Sequence, residues 1–191
     1  DHTVTAPAFA GPDIPVVIAP TTLSGGEFNA LSGATDKITN VKQGYAHPRM
    51  TARAVIMDPA LTLHTPEWIW LSTGVRSFDH AFETLGSLSS NDWYDGMAMN
   101  AVRLLSQGLP RVKANPNDLE ARQMCQMGAW CSMTSIVCGL PMGISHAVGH
   151  ALGGSFDVPH GYTSCVMAPF ALEYNSVVNG DRQQLISIAF G

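Results

Sequence analysis

The sequence predicts an α+β fold in which a short β-containing segment is followed by an all-helical region. Residues 1–60 are rich in proline, glycine and β-branched residues, which is typical of short strands and turns. Beyond Pro66 the apolar residues recur with helical spacing almost throughout. This change of periodicity places the boundary between Asp58 and Pro66.

Three strands are predicted in the first segment, at Val16–Ala19, Ala30–Asp36 and Arg53–Met57. The first strand runs into Pro20 and then into threonine, serine and glycine. Such a turn lets backbone amides and hydroxyl groups approach a phosphate or a ribose closely, although many strand-to-loop turns without a ligand share the pattern.

Six helices are predicted after the boundary. Asp92 and Asp118 are candidate N-terminal caps, and Gly108 and Gly139 are candidate stop signals. The predicted helices are Pro66–Leu88, Asp92–Gln107, Asp118–Gly139, Ile144–Leu152, Gly161–Tyr174 and Arg182–Phe190.

Four histidines form the strongest functional signal. His146 and His150 are four residues apart, so a helix presents both on one face. His160 follows a Gly-Gly break and a proline, and His80 lies upstream in the segment STGVRSFDHAFE. A lone histidine on an apolar face is more often a core or surface residue, but this joint spacing favours an active site. Imidazole is both a metal ligand and the side chain that titrates nearest neutral pH.

The segments TGVRSFDHAFE, HAVGHALGG and VPHG resemble the iron-containing alcohol dehydrogenase superfamily, which includes the maleylacetate reductases. This resemblance implies a dehydroquinate synthase-like architecture. Residues 1–60 would be the C-terminal part of an α/β nucleotide-binding domain, and residues 61–191 would be a truncated helical catalytic domain. Because family members are about twice as long and carry an upstream Gly-Gly-Gly-Ser pyrophosphate loop, we expect this chain to be the middle of a longer polypeptide.

The resemblance also implies site residues. His80, His146 and His160 fall on three of the family's four metal-ligand positions, and His150 falls on a histidine linked to proton transfer. Arg76 stands where the family has its aspartate ligand. Arginine is always protonated and cannot ligate, and Asp79 points about 100 degrees away from His80 on a helix. Arg76 therefore argues against a divalent iron or zinc ion at this site.

A second block of resemblance concerns the cofactor, NAD or NADP. In the superfamily a PTT turn before a VIxDPxLT segment lines the nicotinamide cofactor, and the matching segments here are PTTLSGG and AVIMDPALT. The predicted cofactor-binding residues are Thr21, Thr22, Ser24, Gly25 and Lys42.

The sequence is compatible with three functions. The first is a nicotinamide-dependent oxidoreductase, maleylacetate reductase-like or alcohol dehydrogenase-like, in which Arg76 supplies positive charge and His150 or His80 supplies a proton. The second is a metal-dependent alcohol dehydrogenase with a three-histidine site, and the third is a non-catalytic relative. Arg76 could instead be a structural ion-pair partner of Asp79 or Glu83. The expected partner is a small alcohol, aldehyde or keto acid.

Composition restricts the classes of molecule that the protein is expected to bind. The net charge of −5 and the lack of any Lys/Arg cluster argue against nucleic acid, and no apolar run approaches a membrane span. Charged residues make up only 13% of the chain, which predicts a surface covered by further segments or by a second subunit, most simply in a homodimer. Four cysteines without zinc-binding spacing predict free thiols and a cytoplasmic protein.

Overall fold

A computed structural model describes residues 10–36, 38, 42–156 and 158–190, without the side chains of Thr35, Lys42, Ser155 and His160. The predicted α+β class is confirmed, because every strand in the described part precedes residue 56 and all five α-helices follow residue 66. The division into two domains at residue 60 stays a prediction.

The strands form two separate pairs. Strands β1 (Val17–Ile18) and β4 (Ala54–Val55) run parallel. Strands β2 (Leu31–Thr35) and β3 (Lys42–Ala46) form an antiparallel ladder. The sequence did not predict β3, because its residues KQGYA include a glycine and two polar side chains that have low strand propensity. Pairing with β2 stabilises it.

The five helices carry most of the core. Helix α1 (Glu67–Gly86) lies among α2, α3 and α5, and the start of α4 packs beside it. Its buried Trp70 packs with residues of α2 and α3. The other bounds are Asp92–Ala114 for α2, Leu119–Val137 for α3, Ile144–Ser155 for α4 and His160–Phe190 for α5.

One predicted helix boundary is wrong for a physical reason. Gly108 does not end α2, because it lies where α3 approaches: a Cβ there would be 2.6 Å from Cys125 Sγ and 3.0 Å from the Ala121 carbonyl oxygen. The two predicted C-terminal helices form the continuous span of α5, which is kinked at Asn179, between the predicted end at Tyr174 and the predicted start at Arg182. Within the described part of the chain, no helix is long and apolar enough to cross a membrane.

Candidate active site

Helix α1 buries a row of polar side chains. Arg76, His80 and Glu83 lie on successive turns of one face, and Asp79 lies beside them. Arg76 is 8% exposed, His80 3% and Asp79 1%, and the Glu83 side chain is 8% exposed. Burial of so many titratable groups costs free energy unless each gains partners. These groups therefore make this part of α1 the candidate for a functional site.

Glu83 joins α1 to the beginning of α4. Its carboxylate accepts hydrogen bonds from the backbone amides of Gly143, at 2.9 Å, and Ser145, at 2.8 Å. It also lies 2.6 Å from Nδ1 of His146. Two backbone N–H groups at the start of α4 are thus satisfied by a side chain from another helix.

The rings of His80 and His146 meet in this contact between α1 and α4. Their centroids are 4.8 Å apart and the ring planes are inclined by 27 degrees. His146 Nε2 is buried and has no hydrogen-bond partner among the described residues. The structure therefore brings together two of the histidines that the sequence singled out.

Asp79 also lies in this cluster, contrary to the expectation that it points away. Its Oδ2 accepts a hydrogen bond from Ser145 Oγ at 2.8 Å and is 3.5 Å from His146 Nδ1. Burial raises the pKa of Asp79, and the neighbouring His146 lowers that pKa in part. The helical angle alone missed this contact because Ser145 and His146 approach from a different helix.

Arg76 is a buried cation beside two carboxylates. Desolvation lowers the pKa of its guanidinium, while the charges of Asp79 and Glu83 raise that pKa. Among the described residues, Arg76 forms a direct ion pair with neither carboxylate. Arg76 therefore interacts with these two carboxylates through its charge, at a distance longer than a direct ion pair.

The positions of His160 and His150 are known from the helices that carry them. His160 begins α5, and its side chain lies outside the described part. The next residue, Gly161, packs on α1 so tightly that a Cβ would lie 2.5 Å from Ser72 Oγ. The start of α5 therefore lies against α1, at Ser72, one helical turn before Arg76. His150 is exposed on α4, one turn after His146.

The cluster of Asp79, Glu83 and His146 does not fit a divalent metal ion. Asp79, Glu83 and His146 place potential ligand atoms within 4.8 Å of one another. However, the Glu83 oxygens already accept two amide hydrogen bonds and contact Nδ1 of His146. Arg76 adds a permanent positive charge next to the same groups. A cation would have to displace this network against that charge.

The predicted cofactor turn is fixed to the same helix. Thr73 Oγ1 accepts a hydrogen bond from the Leu23 amide at 3.1 Å, and Ser77 Oγ donates to the Leu23 carbonyl at 2.5 Å. Leu23 is fully buried. The turn is thus held on α1 by Thr73 and Ser77, which lie three residues before and one residue after Arg76 in the sequence.

The other predicted cofactor residues have different surroundings. Thr21 is exposed, whereas Thr22 and Ser24 are half-buried with their hydroxyl oxygens 3.2 Å apart. Gly25 has φ of 77 degrees, and a Cβ there would lie 2.6 Å from Met133 Cγ, so only glycine fits. Lys42 begins β3, and its side chain lies outside the described part.

A cavity of about 250 Å³ opens on the carboxylate side of the cluster, between α1, the start of α4 and α5. Asp79 and Glu83 line it, but Arg76 and the rings of His80 and His146 do not. The hydrogen-bonded carboxylates thus separate this cavity from the histidine rings.

Comparison with known proteins connects this geometry to a family. The sequence profile described as "Fe-containing alcohol dehydrogenase family, C-terminal" matches residues 70–191. The maleylacetate reductase of Burkholderia cepacia is 36% identical over 179 residues, which cover 93% of this chain and 50% of that protein. The chain thus spans about half the length of the curated relatives it matches.

Solved structures give the same relationship. The maleylacetate reductase from Rhizobium sp. strain MTP-10005 superimposes with a TM-score of 0.85 at 31% identity, covering 93% of this chain and 50% of that one. The alcohol dehydrogenase from Oenococcus oeni superimposes with a TM-score of 0.87 at 27% identity, covering 93% of this chain and 46% of that one.

Proposed function

The chain belongs to the iron-containing alcohol dehydrogenase family, and from this premise we propose that it forms part of an NAD(P)-dependent oxidoreductase. The reaction is a hydride transfer between the nicotinamide and a carbonyl or alcohol carbon. The observation that carries the proposal is the buried Arg76, which lies one turn before His80 on α1. This arginine favours a maleylacetate reductase-like reaction on a keto acid, without a divalent metal.

The nicotinamide supplies or accepts the hydride, and the residues of this chain bind and align it. Thr21, Thr22, Ser24 and Gly25 form the turn that holds the cofactor, and Lys42 is a further contact. Hydrogen bonds from the turn to Thr73 and Ser77 fix it against α1. The cofactor is thus aligned by the same helix that carries the substrate-binding residues.

Arg76 has two roles in this proposal. Its planar guanidinium binds a substrate carboxylate through two charge-assisted hydrogen bonds, which are stronger than neutral ones. It also stabilises negative charge that develops on the carbonyl oxygen during reduction, because low solvent access strengthens that interaction. Its burial at 8% exposure supports both roles.

Reduction of a carbonyl also requires a proton on the new hydroxyl oxygen. His80 lies in the buried cluster, and His150 is exposed one turn after His146 on α4. We therefore assign His80 or His150 as the proton donor, with His150 suited to exchange with solvent.

A metal-dependent alcohol dehydrogenase is the second candidate. It is favoured by one observation, the buried His146 Nε2 that has no hydrogen-bond partner in the described part of the chain. In this alternative His80, His146 and His160 would hold iron or zinc, and a small alcohol or aldehyde would be the substrate.

The remaining proposals concern domain organisation, oligomeric state and location. Residues 1–60 would complete a nucleotide-binding domain and residues 61–191 would form the helical catalytic domain. The parallel pairing of β1 with β4 supports the first assignment, since parallel pairs belong to α/β sheets. We also propose a homodimer, because apolar side chains such as Trp93 and Val177 are exposed on the helices. We propose a cytoplasmic location because the four cysteines are free thiols.

The proposed function can be tested by following NADH and NADPH oxidation with keto acids and with neutral aldehydes. Arg76→Ala should lower kcat/KM for keto acids by about 10- to 150-fold, since a hydrogen bond to a charged group contributes about 1.5–3 kcal/mol. The kcat/KM for neutral aldehydes should fall by a smaller factor. Arg103→Ala, which changes an exposed arginine of α2, is the matched control. An Arg76→Ala enzyme with unchanged turnover would show that Arg76 is structural.

A further inference from the structure

Helix α4 begins without a capping side chain of its own. Its N-cap residue is Gly143, which makes no side-chain hydrogen bond to the first turn. The Glu83 carboxylate of α1 caps it instead, through the amides of Gly143 and Ser145. A carboxylate at a helix N-terminus is also favoured by the helix dipole.

Glycine at position 143 permits this arrangement. A Cβ at this position would lie 2.8 Å from Oε1 of Glu83. The sequence thus pairs the long acidic side chain of Glu83 on α1 with Gly143, the N-cap residue of α4, which has no side chain. This pairing brings α1 and α4 close enough for their histidines to stack.

The same carboxylate lies against one ring nitrogen of His146. Glu83 Oε2 lies 2.6 Å from Nδ1, whereas the competing oxygen of Asp79 is 3.5 Å away and accepts from Ser145 Oγ. An ionised carboxylate can only accept hydrogen bonds, so the neutral ring must be protonated on Nδ1. Its Nε2 then carries a lone pair.

We propose that Glu83 is a positioning residue that fixes the orientation and tautomer of His146, so that Nε2 presents a lone pair beside His80. The role of His146 in the reaction rests on the proposed function, but the tautomer does not. A lone pair at Nε2 can accept a hydrogen bond from a substrate hydroxyl group or from a protonated neighbour. The opposite tautomer would present a donor there.

Glutamate is the side chain that meets all three donors. Glutamine has one acceptor oxygen, and its NH₂ group would face an N–H of the α4 terminus or donate to His146 Nδ1. Donation to Nδ1 would move the ring hydrogen to Nε2. Aspartate keeps the charge but is one methylene shorter, so it cannot reach both the amides and the ring with the same geometry.

The test is ¹⁵N NMR of protein with ring-labelled histidine, without cofactor or substrate, in chelator-treated buffer at a pH where the ring is neutral. A His146→Asn variant assigns the signal. We expect the Nδ1–H tautomer in the wild type, and a shift towards the Nε2–H tautomer in Glu83→Gln. Glu67→Gln, which changes an exposed glutamate at the start of α1, should leave the signal unchanged.

Activity provides the second measurement. Glu83→Gln should lower kcat by about 10- to 100-fold while the KM for the nicotinamide stays constant, and Glu83→Asp should restore part of kcat. If Glu83→Gln does not fold, the tautomer of His146 in the wild type still tests the proposal. A wild-type ring protonated on Nε2, or a folded Glu83→Gln variant that keeps the Nδ1–H tautomer, would overturn the proposal. Neither result depends on whether the protein reduces a keto acid.

Discussion

Ser77 of α1 donates a hydrogen bond to the main-chain carbonyl of Leu23, with 2.5 Å between Oγ and O. Both residues are fully buried. Because Ser77 directly follows Arg76, the predicted cofactor turn and the candidate reaction site share one rigid helix. This contact therefore contributes to their relative position.

Replacing Ser77 with alanine should loosen the turn. The buried Leu23 carbonyl would lose its side-chain partner, which costs about 1–3 kcal/mol of stability. Urea denaturation should show this loss, and calorimetry should show weaker nicotinamide binding. Ser176→Ala is the control, because that exposed hydroxyl bonds only a carbonyl of its own helix. Unchanged cofactor affinity in Ser77→Ala would disprove the coupling.

Gly161→Ala should displace the start of α5. The added methyl group would lie 2.5 Å from Ser72 Oγ and 2.9 Å from Ser72 Cβ, so α5 must move away from α1. Overpacking of this kind costs about 1–3 kcal/mol, and it would shift His160 as well. The thermal midpoint and kcat should both fall. Gly180→Ala, with nothing within 4 Å of the added carbon, should change neither. A Gly161→Ala variant as stable as the wild type would contradict the packing.

The cysteines should differ sharply in reactivity. Cys125 is fully buried between α2 and α3, and burial raises the pKa of its thiol to about 12. Cys138 is exposed at the end of α3. Since the thiolate is the reactive form, a thiol reagent at pH 8 should label Cys138 and spare Cys125 until the protein unfolds. Mass spectrometry of labelled peptides checks this. Rapid labelling of Cys125 in the native protein would show that the α2–α3 contact is open.

Local sequence signals predicted much of the fold. The change in periodicity located the first helix, and Asp118 caps α3 as predicted, accepting from the Ala121 amide at 2.9 Å. The cap of α2 is Asn91 rather than Asp92, a shift of one residue that two adjacent capping side chains make hard to resolve. Gly108 was misinterpreted because a glycine that permits close helix packing looks the same in sequence as a stop signal.

The candidate site was only partly predictable. The histidine spacing and the family resemblance indicated His80 and His146, and their rings do stack. The contacts of Asp79 and Glu83 with Ser145 and His146 join residues more than 60 positions apart. Such contacts depend on how α4 packs against α1, which no local pattern encodes. The capping glutamate could have been sought from one signal, a helix that begins at a glycine without a capping side chain.

The metal content of the purified protein tests the central proposal most directly. The wild type and the Arg76→Asp variant should be expressed in cells supplied with iron and zinc. The variant restores the carboxylate that the family has at this position and removes the buried positive charge. Elemental analysis after gel filtration should find far less than one metal ion per chain in the wild type, with activity that resists a chelator, and increased metal binding in Arg76→Asp. Stoichiometric iron or zinc in the wild type, together with loss of activity on chelation, would contradict the account.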